Sequence, residues 1–79
     1  MTTLVSLDQL PTGARAVVRK LRGGHEFANR LAAMGLVVGS RIEILQNADR
    51  GPLLVLVRDT RIALGRGEAM KVVAEEVSA

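Results

Sequence analysis

The stretch "RLAAMGLVVGSRIEIL", residues 30–45, changes its hydrophobic period within a few positions. Before Gly35 the apolar residues Phe27, Leu31 and Met34 fall one helical turn apart, whereas after Gly39 Ile42 and Ile44 alternate with Glu43 as in a half-buried strand. A helix must end and a strand begin across "MGLVVG". Gly35 suits the helix end, because the residue after the last turn commonly needs a positive φ that glycine adopts without a Cβ penalty. The structural joint is therefore Met34, Gly35, Leu36 and Gly39, with Leu36 and Val38 placed to plug the interior.

Turn signals divide the remainder. "SLDQ" (Ser6 to Gln9) has capping-box spacing and predicts one helical turn. "ARAVVRKL" (Ala14 to Leu21) reads as a strand with Val17 and Leu21 on one face, and the glycines of "RGGHE" break it before a helix from about His25 to Met34. "SRIEILQN" (Ser40 to Asn47) alternates and turns through "ADRGP" into "LLVLVRD", a hairpin. The second arm is apolar at every position from Leu53 to Val57, which predicts one face inside a barrel and the other beneath the helix. "TRIALG" adds a strand, "RGEA" (Arg66 to Ala69) a tight turn, and "MKVVAEEV" a last strand with a frayed acidic tail. Five short strands and one capping α-helix predict a mainly β fold, a small closed or nearly closed barrel forming a single domain over residues 1–79. "TGARAVV" and "VGSRIEI" echo each other as two Gly-x-Arg strand entrances.

Composition narrows the function classes. Phe27 is the single aromatic residue, so the core is Leu, Val, Ile, Ala and Met, and a polyproline groove lined with aromatics is disfavoured. No cysteine is present, which excludes disulfides, thiolate metal sites and cysteine nucleophiles and fits a reducing compartment. The longest aliphatic run, Leu53 to Val57, is far short of the about 20 residues of a spanning helix. The start lacks the layout of a secretory signal, so a cytoplasmic location without membrane insertion is expected. Nine of the eleven basic residues are Arg and the net charge is +3, yet these cations are spread singly among acids, and nucleic acid is a disfavoured partner.

Catalytic constellations are scarce. His25 is the only histidine and has no nucleophile motif around it. Asp49 with Asp59, or Glu68 with Glu75, sit in turns or tail where solvated charge is the ordinary state. "GRGEA" lacks the Lys-Ser/Thr pair of a phosphate loop. His25 and Glu26, adjacent on a helix, point about 100° apart and do not chelate one ion. Neither an enzyme, nor a cofactor, nor a metal site is expected.

The run "RLAAMGLVVGSRIEIL" followed by "PLLVLVRDTRIALGRGEAMKVV" resembles the FeoA-like family, the ferrous iron transport A proteins and the related C-terminal domains of iron-dependent repressors. The matching positions are Arg30, Leu31, Met34, Gly35, Leu36 and Gly39 at the joint, Ile42 and Ile44 in the next strand, Pro52, then Leu64, Glu68, Ala69 and Val72. "SLDQLPTGARAVV" also resembles the family's first strand, so the likeness covers nearly the whole chain. Where such sequences often carry a Gly-Asp-Pro turn, this chain has Arg50-Gly51-Pro52. The resemblance implies an SH3-like barrel that binds the cytosolic G-protein region of a ferrous iron permease. The alternative it implies is a stand-alone regulatory module like the repressor domain, although no helix-turn-helix accompanies it. On the first reading the protein-binding face is the outer side of the helix, His25, Asn29 and Arg30, with the "RGG" loop beside it. Edge strands also leave room for a homo-oligomer.

Overall fold

In the computed structural model, which describes residues 3–77, the alternating segments become strands of one antiparallel sheet. These are β1 (Leu4–Ser6), β2 (Arg15–Leu21), β3 (Arg41–Gln46), β4 (Leu53–Val57), β5 (Thr60–Leu64) and β6 (Val72–Glu76). Their order across the sheet is β1-β6-β2-β3-β4-β5. A 3-10 turn, Leu7–Gln9, follows β1; α1 (Gly24–Ala33) lies between β2 and β3; α2, a single helical turn (Arg66–Ala69), lies between β5 and β6.

The mainly β class stands, with six strands instead of five. The added one is β1, three residues paired to β6 with Val5 opposite Ala74, too short to show a period in the sequence. "RGEA" is a helical turn, because Glu68 Oε1 accepts the Gly65 N–H at 3.0 Å and so caps its start. Ser6 does not cap the first turn; its hydroxyl donates to the Asp8 carboxylate. The acidic end is ordered as far as described: Glu75 and Glu76 belong to β6, Arg19 Nε donates to Glu75 Oε1 at 2.9 Å, and the Val77 N–H donates to Arg15 O. Ser78 and Ala79, the last of that tail, lie outside the described residues.

Inward-facing residues build one aliphatic core, including Val18, Ile44, Leu53, Val55, Leu64 and Val72, all fully buried. The sheet's two end strands carry the elements that bring them together: the 3-10 turn after β1 packs against α2 after β5. From α1, Phe27 and Leu31 enter the same core, and the helix's main contact is with β2. It does not cover β4. Leu53, Val55 and Val57 face inward as expected, but Leu54 and Leu56 lie half-buried on the outer face, Leu56 opposite Glu43 on β3.

The joint is a Schellman closure. Met34 ends the helix, Gly35 follows at φ +95°, its N–H donates to Ala32 O, and the Leu36 N–H returns to Leu31 O, each at 2.9 Å. Leu31 and Leu36, the two side chains this loop brings together, are both fully buried. Met34 and Val38 do not join them. Gly35 swings the chain away beneath Met34, which is 36% exposed, and the Val37–Ser40 turn, closed by Ser40 N–H to Val37 O with Gly39 at φ +96°, carries Val38 outward to 57% exposure.

A Cβ at Gly35 meets nothing within 4 Å, so only the backbone resists substitution there. Gly35→Val is expected to cost more than about 1 kcal/mol in thermal unfolding, and Gly35→Asn less, because asparagine tolerates left-handed backbone. Leu31→Ala is expected to cost about 2–5 kcal/mol, and Asn29→Ala, on the exposed side of α1, under about 0.5 kcal/mol. Equal losses at Leu31 and Asn29 would contradict this packing.

Candidate functional site

The helix projects three polar side chains from the barrel. His25 and Asn29, one turn apart on α1, are exposed, and Arg30 follows Asn29. At the helix start Phe27 lies against the backbone at Gly23, where any Cβ would collide with the ring, and Gly24 follows at φ +78°. The "GG" pair is thus a site of close approach as well as a break.

Arg30 is engaged within the molecule. Its Nη2 donates to Glu68 Oε2, and its guanidinium lies 5.7 Å from the Phe27 ring centroid, with Lys71 Nζ at 5.6 Å from the same centroid. Glu68 therefore does two jobs, capping α2 with one oxygen and holding Arg30 with the other. The arrangement fixes a cationic surface over the aromatic ring. The structure thus brings Arg30 together with Glu68, a pairing across 38 positions of sequence that no local pattern predicts, while His25 and Asn29 remain at the surface.

A second polar cluster was not legible in the sequence. Asn47, at the end of β3, donates from Nδ2 to Leu10 O at 2.6 Å and Asp8 O at 3.1 Å, and its Oδ1 accepts from Arg66 Nη1 at 2.7 Å. Its N–H donates to Thr12 Oγ1. One side chain so ties the 3-10 turn, β3 and α2 at the seam where the sheet's ends meet. An asparagine after a strand reads as an ordinary turn residue, since the carbonyls it satisfies lie more than 35 positions away.

Among the described residues no group of three or more His, Asp or Glu side chains gathers as a metal ion would require, and no helix is long and apolar enough to cross a membrane.

Asn47→Ala removes three side-chain hydrogen bonds and is expected to cost about 2–3 kcal/mol. Arg30→Ala, which breaks a pair whose partners are 59% and 33% exposed, is expected to cost under about 1 kcal/mol. Urea unfolding of both variants checks the ranking; a larger loss at Arg30 would contradict it.

The FeoA domain profile matches residues 5–76. A protein designated Fe(2+) transport protein A, from Methanocaldococcus jannaschii, is 34% identical over 64 residues, covering 81% of this chain and 77% of that protein. A Porphyromonas gingivalis fusion of Fe(2+) transport protein A with the Fe(2+) transporter FeoB is 34% identical over 73 residues, covering 91% of this chain and 9% of the fusion. The crystal structure of an iron uptake regulatory protein, FeoA, superposes with a TM-score of 0.86 at 31% identity, covering 95% of this chain and 99% of that one. A manganese-dependent transcriptional repressor also gives a TM-score of 0.86, at 16% identity over 98% of this chain and 44% of the repressor. That last likeness is one of fold.

Proposed function

The chain belongs to the FeoA-domain family, and on that premise we propose that it is a cytoplasmic, non-catalytic accessory protein of ferrous iron uptake that binds the cytosolic G-protein region of a ferrous iron permease. The observation that carries this reading is the Porphyromonas gingivalis fusion, in which a relative of this chain and an Fe(2+) transporter are one polypeptide. Covalent fusion places two modules at high effective concentration, which is useful where they act together. The chain's own chemistry agrees: its one histidine stands on an exposed helix face, and its polar clusters tie elements to each other.

The helix face of His25, Asn29 and Arg30 is the proposed contact surface. Arg30, held by Glu68 over Phe27, is already ordered, so a partner carboxylate meeting it does so at reduced entropic cost. The regulatory reading has only the shared fold behind it, and fold alone does not carry function.

Purified chain is expected to bind the cytosolic region of a ferrous iron permease in at least one nucleotide state and to hydrolyse no nucleotide alone. Arg30→Glu is expected to weaken binding and to make it less sensitive to salt. Absence of binding in every nucleotide state would sink the transport role; undiminished binding by Arg30→Glu would keep the role and discard this face.

A further inference from the structure

The two Gly-x-Arg entrances are used as a pair. Gly13 and Gly39 each donate their N–H across the β2–β3 pair, to Ile44 O and Val18 O, both at 2.7 Å. The strands are antiparallel, with Arg15 opposite Glu43 and Val17 opposite Arg41. Because side chains two apart share a sheet face, Arg15 and Arg41 emerge on the same outer face. Leu56 of β4 extends this face opposite Glu43, and Arg58 ends it at the β4–β5 turn.

Two adjoining clefts share Arg41 and Arg58 as walls. Leu56 lines the first; Val37 and Val38, 46% and 57% exposed, line the second. Arg15 is paired to Glu43 at 3.7 Å. Arg41 and Arg58 have no carboxylate partner among the described residues, and Glu43 is the only carboxylate lining either cleft. The result is an aliphatic groove with two uncompensated guanidinium groups on its rim.

Arg58 carries a further mark. Its φ is +57°, and it is the only non-glycine among the described residues with positive φ. A glycine would adopt this turn without strain, yet the position holds a long cation that lines both clefts.

We propose that this groove docks an acidic, aliphatic segment of a protein partner, its carboxylates forking onto Arg41 and Arg58 and its apolar side chains lying against Leu56, Val37 and Val38. Charge complementarity selects this occupant. A second copy of the chain carries net charge +3, so overall charge opposes its approach to this cationic rim. Single-stranded nucleic acid binds such grooves by stacking on aromatic rings, and neither cleft has one: Phe27 is buried under Arg30 and Lys71, and His25 lines neither. The proposal deepens the accessory-protein reading, on which it rests for the partner being a protein, and adds a second contact, on a different face from α1.

The test uses the full chain and a fluorescent peptide of about eight residues alternating Glu and Leu, an extended length of about 26 Å. A Lys–Leu peptide and a short single-stranded oligonucleotide serve as comparisons. The Glu–Leu peptide is expected to bind alone, more weakly as salt rises, and roughly tenfold or more weakly to the Arg41→Glu/Arg58→Glu variant. Arg58→Gly is expected to lose peptide affinity while its Tm stays level or rises, which a purely structural arginine would not allow. No binding of the Glu–Leu peptide, equal binding to the double variant, tighter binding of the oligonucleotide, or a fall in Tm for Arg58→Gly would each overturn the proposal. The double variant is then mixed with the permease cytosolic region. If it binds as well as the unaltered chain, the groove is discarded and the accessory role kept; if even the unaltered chain fails to bind, the accessory role is discarded and the peptide result decides the groove.

Discussion

The hydrogen bond from the Leu36 N–H to the Leu31 carbonyl, closed over two fully buried leucines, is the contact from which the other placements follow. It ends α1 and sets the direction in which the chain leaves. Three residues on, the Gly39 N–H reaches Val18 O and the Val18 N–H reaches Ser40 O, so the joint is fastened to β2 before β3 begins. Burying each leucine contributes about 1.5–3 kcal/mol, against which the joint's few ordered residues cost about 1–2 kcal/mol apiece. The clasp therefore holds only because helix and sheet share one core, and it positions both the polar outer face of α1 and the Val37–Arg41 side of the groove.

Periodicity revealed what was local. Gly35, the alternation of Ile42 and Ile44, and the β3–β4 hairpin were all legible, because each depends on neighbours within a turn or a pleat. The errors came from contacts made far along the chain. Leu54 and Leu56 looked destined for the underside of the helix, since an unbroken apolar run reads as buried on both faces, but α1 packs on β2 and leaves them half-exposed. Met34 and Val38 carry apolar side chains at plausible positions, and only the turning direction at Gly35 and Gly39 decides that they point outward. Of the helix-face residues, position was legible for His25, Asn29 and Arg30, while the tie from Arg30 to Glu68 depends on α2, which the sequence offered only as a turn.

The seam shows how a small chain closes a sheet without completing the ladder. β1 and β5 are its end strands, and Asn47 joins the elements that follow them by satisfying two backbone carbonyls and one guanidinium nitrogen. Arg66 is incompletely served there, its Nε and Nη2 buried with no partner among the described residues. Packing and polar satisfaction are thus least well matched at the seam.

A chain with one aromatic residue has few ways to recognise a partner strongly. Its ring lies inside, flanked by two cations, so the aromatic anchors that dominate many interfaces are unavailable at the surface. What the groove offers instead is guanidinium and aliphatic side chains. Guanidinium groups offer rigid, bidentate geometry and long-range attraction to carboxylates, but in water each exposed pair contributes little. Exposed valines and a half-buried leucine beside two unpaired arginines raise that contribution, because a docked chain removes water from both at once and strengthens the charge contacts in the drier interface. A surface of this kind suits rapid, reversible engagement more than permanent assembly, with electrostatics setting the encounter rate and a small apolar area limiting residence.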